Sequence, residues 1–230
     1  MPTTPPQPPP DEPAPPPGPE AKRSWRIAGL LLVLMVIAAA YFGYRAYREH
    51  QEARRAVAAA RMGEVVTALL TFDTEYGSFP NEATLKDICD ATGHKPWPLL
   101  TSNDYFRQVV AAGLAREEFF ADGTRQKADG VTNPISKILE GGECSWGYIP
   151  WSSSREPSRI VLIYPMVPGT QRLDPGIFEG RGFVMRVDSS VIPVKIERDG
   201  RVLQNGKDIF DPSQPMWGGE PPDLKWPTTD

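Results

Sequence analysis

From Ile27 to Tyr44 the chain runs for 18 residues without a charge, through Leu30, Leu34, Val36 and their neighbours. Nothing else in the sequence constrains folding as strongly. As a helix the run is about 27 Å long, close to the ~30 Å hydrocarbon core of a bilayer. Its flanks are basic and aromatic: Lys22, Arg23, Trp25 and Arg26 before it, and Tyr41, Tyr44, Arg45, Tyr47 and Arg48 at its far end. Such residues anchor a helix at the membrane–water interface. Residues 22–48 therefore read as one transmembrane helix with the lipid bilayer as its first partner. A cleaved signal peptide is the alternative, because Ala38-Ala39-Ala40 supplies small residues behind a short apolar stretch. The long preceding region and the unbroken helical pattern after Ala40 argue against it. A buried core helix would need covering on every side, and the flanks offer no cover. Charge leaves the orientation open, since Arg45, Arg48, Arg54 and Arg55 oppose Lys22, Arg23 and Arg26.

The segment ahead of this run has a different chemistry. Of 26 prolines, 11 precede residue 20, and no aromatic residue and no large aliphatic one beyond Met1 lies among residues 1–20. It cannot bury enough apolar surface to offset the entropy of ordering. Residues 1–21 are expected to be a disordered tail leaning towards polyproline II, either a passive spacer or a ligand for a proline-reading domain. The net charge of −4 supplies no basic field, which argues against a nucleic-acid partner.

After the apolar run the helical pattern continues over residues 49–76. Proline is absent there, and Met62, Val65, Val66, Leu69, Phe72, Asp73 and Tyr76 recur at spacings of three and four. All but Asp73 are apolar, so one face must pack against protein. Gly77 and Pro80 end the helix. Residues 77–142 read as helices and loops, with helical patterning over Glu82–Ala91 and Ser102–Ala115 and a short helix opened by Asn133-Pro134. Residues 143–204 read as an antiparallel sheet of short β-branched and aromatic runs: Ser145–Pro150, Ser158–Tyr164, Gly182–Val187 and Val191–Glu197. Asp188-Ser189-Ser190 and Asp199-Gly200 are turns between them or leading out of them. Pro193 makes its strand an edge or a bulged one. Residues 205–230 read as a coil tail docked by Trp217 and Trp226. The fold class is α+β, with the amphipathic half of the long helix laid across one face of a small antiparallel sheet.

Catalytic signatures are missing: there is no Gly-x-Ser-x-Gly, Walker A, dinucleotide or zinc-protease motif. Ser152-Ser153-Ser154 reads as a loop and His94 as a turn residue. Cys89 and Cys144 lack metal-site spacing. They are a candidate disulfide if the domain is exported, or two buried thiols. The basic group Arg45, Arg48, Arg54 and Arg55 reads as a lipid-headgroup zone.

The layout, together with Ala68-Leu69-Leu70-Thr71-Phe72-Asp73-Thr74-Glu75-Tyr76-Gly77-Ser78-Phe79-Pro80, resembles the type IV pilin and type II secretion pseudopilin family. In G-type major pseudopilins the long helix closes on Gly-x-aromatic-Pro, and Phe72, Tyr76, Gly77, Phe79 and Pro80 match that ending. Asn103-Asp104-Tyr105-Phe106-Arg107 and Pro215-Met216-Trp217-Gly218-Gly219 also look like segments of pilin-like proteins. The resemblance implies a non-catalytic structural or accessory subunit of a type II secretion or type IV pilus-like system, with other pilin-like or secretion-system subunits as partners. It implies a bacterial inner-membrane location, the N-terminus cytoplasmic and the domain extracytoplasmic. It also implies a calcium site in sheet-side loops, for which Asp208 and Asp211 are the candidate ligands; no other cofactor is expected. The sequence departs from the family in two places. No prepilin peptidase site precedes the apolar run, and no acidic residue lies between Lys22 and Arg48. The competing expectation is a single-pass anchored extracytoplasmic binding module with a proline-rich cytoplasmic tail; an enzyme with an unrecognised site is a third.

Overall fold

A computed structural model of the chain describes residues 19–122, 135–150 and 153–228, with side chains described from residue 29 onward except that of residue 136. The proline-rich residues 1–18, the helix opening at Asn133-Pro134, and Trp151 and Ser152 lie outside the described residues, as do the side chains of Lys22, Arg23, Trp25, Arg26 and Ile27. The chain divides into two compact units, Met1–His50 and Gln51–Asp230.

One helix, α1, runs from Pro19 to Tyr76. It starts inside the stretch expected to be a tail through residue 21. Proline suits the first helical position, because its missing N–H has no partner there in any case. In the first unit the described side chains of α1 are exposed on every side.

In the second unit α1 is sorted by period. Ala58, Met62, Val65, Val66, Leu69 and Phe72 are buried, whereas Ala53, Ala56, Ala60, Glu64, Thr67 and Thr71 are exposed. Thr67, Thr71 and Thr74 turn their hydroxyls back to the carbonyls of Gly63, Thr67 and Leu70, which satisfies them within the helix. Two shorter helices follow, α2 (Glu82–Thr92) and α3 (Ser102–Ala111). The latter stops four residues before the expected end at Ala115. Gly113 adopts a left-handed conformation (φ 74°); Leu114 N–H then donates to Val109 O and Gly113 N–H to Val110 O. This is a Schellman ending. A 3-10 turn at Glu117–Phe120 was not expected from the sequence.

Four strands form an antiparallel meander in the order β1-β2-β3-β4: Gly147–Tyr148, Ile160–Tyr164, Arg181–Arg186 and Val191–Lys195. Both expected turns are present. Ser189 (φ 67°) turns β3 into β4, held by Ser190 N–H donating to Asp188. Gly200 (φ 81°) closes the turn into the bridge between Ile196 and Val202. Pro193 stands on β4, an edge of the sheet, where its missing donor costs no ladder bond.

Both faces of the sheet are buried. One face carries Tyr148, Val161, Leu162, Tyr164 and Met185 into the core built on α1 and α3. The other carries Ile160, Ile163 and Val184 into a second core closed by Ile209, Phe210, Trp217 and Leu224. A register shift between Ile160 and Leu162 explains why Val161 and Leu162 serve the same face. An extra residue in one strand breaks the strict alternation of sides. Glycine is required where backbones close in: a Cβ at Gly182 would stand 2.7 Å from Tyr164 O.

Residues 205–228 are more ordered than a coil. Strands β5 (Leu203–Gln204) and β6 (Lys207–Asp208) pair across Asn205-Gly206, both at positive φ. The end of the chain pairs Lys225 with Tyr148 on the free side of β1. Trp217 docks as expected: it is buried, and its indole N–H donates to Ile209 O at 2.7 Å. Trp226 is half-buried, and its carbonyl accepts from Ser102 N–H.

Candidate functional site: an exposed apolar helix and the turn that ends it

Along the uncharged run every described large apolar side chain is exposed. Leu30, Leu34 and Val36 are 61%, 52% and 61% exposed, and Tyr44 is 62% exposed. Burying none of these in protein leaves a contiguous apolar surface far beyond what a water-facing helix carries. Its length and composition suit a single membrane crossing.

The four arginines that follow divide into two pairs, which corrects the reading of one headgroup zone. Arg45 forms an exposed ion pair with Glu49. Arg55 instead belongs to the folded unit: its guanidinium donates to Phe178 O at 3.0 Å and pairs with Glu179 at 3.1 Å, leaving the side chain only 14% exposed. Arg54 lies over the Phe178 ring, 5.9 Å from its centroid. The reason is packing: burial begins at Gln51, one turn before Arg55.

The end of α1 is held by a dense set of contacts. Phe72 is buried and its ring lies 4.6 Å from that of Tyr76. Gly77 leaves the helix at φ 79° and its N–H donates to Asp73 O, a conformation that suits glycine. Phe79 and Pro80 are buried, and Tyr148 hydroxyl donates to Pro80 O at 2.9 Å. Asn81 then caps α2. Its Oδ1 accepts from Ala83 and Thr84 N–H, and its Nδ2 donates to Ser78 Oγ and Phe79 O. Thr84 completes the capping box and donates to Gln108 Oε1, while Gln108 Nε2 donates to Asn81 O. A buried network closed on all its members fixes one geometry. Burial pushes the Tyr148 hydroxyl well above its ordinary range. Burial first, then the Asp223, Glu82 and Asp104 carboxylates, push neighbouring Tyr105 up to about 12.

Asp73, the polar residue on the apolar stripe, is buried and accepts from Ser154 hydroxyl and N–H. It holds the loop beyond β1 against α1. Asp208 is occupied by Arg172 at 2.8 Å and by Phe210 N–H. Asp211 accepts from Ser213 N–H and hydroxyl, and those bonds hold its carboxyl below the usual range. Among the described residues no three His, Cys, Asp or Glu side chains gather as a metal site. Cys89 and Cys144 are buried thiols with no disulfide between them. The Cys144 sulfur stands 3.7 Å from Ser102 Oγ, and burial pushes the Cys89 thiol up.

Sequence reasoning missed the Asn81–Thr84–Gln108 network and the docking of Arg54 and Arg55. Asn81 ahead of α2, with Thr84 three residues on, was a readable signal; the partner Gln108 was not. Comparisons with protein-family models, curated proteins and solved structures find no match for this chain.

Proposed function

We propose that the protein is a membrane-anchored, non-catalytic, pilin-like structural or accessory subunit of a type II secretion or type IV pilus-like system, its N-terminus cytoplasmic and its domain extracytoplasmic. One observation carries this reading. A single helix is apolar and exposed all round in its first half, and in its second half it is the spine of an α+β unit. The Phe72–Pro80 exit that resembles the family is also where α1 locks onto the sheet through Tyr148. The proposed chemistry is packing: helix in lipid, domain against other subunits. Co-purification from native membranes with a secretion ATPase or platform protein is the test. A domain that stays monomeric and unlinked to any such system sinks the reading.

A second reading, an anchored extracytoplasmic binding module, is favoured by the lack of an acidic residue between Lys22 and Arg48. A charge in lipid is costly and marks a specific contact, so a span without one has no such registering group. The mass of the protein from native membranes separates these readings from a third. An intact N-terminus is expected for both anchored forms, whereas loss of roughly 40 residues would mean a released soluble domain.

A further inference from the structure

The second core leaves a small apolar groove beside a cation. On that face of the sheet Ile160, Val184, Ile192 and Val194 meet Leu203 of β5 around a groove of about 220 Å³. Arg186 lies two residues beyond Val184 on β3, so it points to the same side, and it lines the groove. Its Nε is shut off from solvent and has no acceptor among the described residues. Asp188 feels the Arg186 charge, but its Oδ1 accepts from Ser190 N–H and hydroxyl. Lys195, the other cation lining the groove, is held by Glu197 at 2.9 Å. A buried donor of a charged group left without an acceptor is costly.

Chemistry and size define the occupant. A guanidinium is best satisfied by a planar carboxylate, which takes two parallel N–H bonds. The aliphatic walls favour an apolar body behind that carboxylate. An apolar cavity of about 150 Å³ holds benzene, so this groove suits a ligand only slightly larger. Pro193 decides against an added peptide strand. Ile196 N–H donates inward to Gly180 O on the β3 side, so alternation turns the Pro193 nitrogen outward on the edge strand β4. The middle of that edge therefore has no donor, and an added strand would meet a broken ladder. We propose that this groove binds a small aliphatic monocarboxylate, its carboxylate on Arg186 and its chain along Ile192, Val194 and Leu203. The site lies wholly within the second unit and is independent of the anchored reading.

The probe is hexanoate, titrated into the full chain in phosphatidylcholine nanodiscs while amide exchange is followed at residues 184–186, 192, 194 and 203–204. Half-maximal slowing is expected on the order of 1 mM. Hexanol keeps the chain but lacks the charge, and should need roughly ten-fold more. Arg186→Gln is expected to raise the hexanoate midpoint roughly ten-fold and to leave that of hexanol unchanged. Arg186→Lys keeps the charge but not the planar fork, and should raise it by roughly three-fold. Should Arg186→Gln disturb the sheet, Leu203→Asp serves: Leu203 is 45% exposed, and a carboxylate there is expected to repel hexanoate and abolish the slowing. No slowing up to about 20 mM, equal midpoints for hexanoate and hexanol, or slowing indifferent to Arg186→Gln and Leu203→Asp overturns the proposal. A peptide with a free C-terminal valine that outcompetes hexanoate also overturns it, since the occupant would then be a chain terminus.

Discussion

The two halves of α1 are both rich in apolar residues, yet they solve opposite problems. From Leu30 to Tyr44 the large apolar side chains are 52–65% exposed. From Ala58 to Phe72 the apolar side chains at helical spacing are buried against α3 and the sheet, and the opposite face is small or polar. Periodicity is the difference. A uniform apolar surface cannot be covered by one neighbouring layer, whereas a stripe can. The uniform half demands an apolar solvent and the striped half demands a protein partner. Each half should therefore fail on its own, and that independence can be broken experimentally.

The largest effect is expected in the uniform half. Leu34→Asp combined with Ile37→Asp places two charges mid-helix, at a cost of roughly 5–7 kcal/mol for insertion. The protein should shift from the carbonate-resistant membrane fraction to the soluble or aggregated one. Thermal unfolding of the second unit should not change. A fall in its melting temperature would mean that the halves are coupled. The converse experiment is Phe72→Ala. Removing a buried aromatic side chain costs about 3–5 kcal/mol, read as a lower denaturation midpoint, while membrane partitioning stays constant.

Much of this contrast was legible in the sequence, and for a physical reason. Met62, Val65, Val66, Leu69 and Phe72 announce their face through local spacing, as Gly77 announces the helix end and Asp199-Gly200 a turn. Local signals failed where the decisive partner is distant. Arg54 and Arg55 look like headgroup arginines until Phe178, more than a hundred residues later, takes them. Gln108 carries no local signal of its partners, which are Asn81 and Thr84 more than twenty residues earlier. Asp73 breaks an apolar stripe for the sake of Ser154. The Asn205-Gly206 turn was visible in principle, but its strands are two residues each, too short for an alternating pattern.

The turn that ends the striped half gives a sharper test than the core. Asn81→Ala removes the cap of α2 and leaves the Ala83 and Thr84 N–H groups and Phe79 O without their side-chain partner. A loss of about 2–3 kcal/mol is expected. Asn81→Asp restores the cap oxygen but cannot donate to Ser78 and Phe79. It should recover only part of the loss. Full recovery would show that the cap oxygen matters and the amide donor to Ser78 and Phe79 does not.

Alkaline pH should weaken the second unit without mutation. The hydroxyls of Tyr148 and Tyr105 are both raised above the ordinary value near 10, and burial is the leading cause in each. A raised pKa means that the native state holds its proton after the unfolded chain has released it. Their contribution is therefore complete below pH 10 and falls as pH rises through the native values, about 12 for Tyr105. Denaturation midpoints of the second unit should drop steadily above pH 10. Tyr148→Phe removes one of these two groups together with its bond to Pro80 O. It should lower stability at neutral pH by about 1 kcal/mol and flatten the alkaline slope. A slope unchanged in Tyr148→Phe would place the alkaline sensitivity elsewhere than at the helix exit.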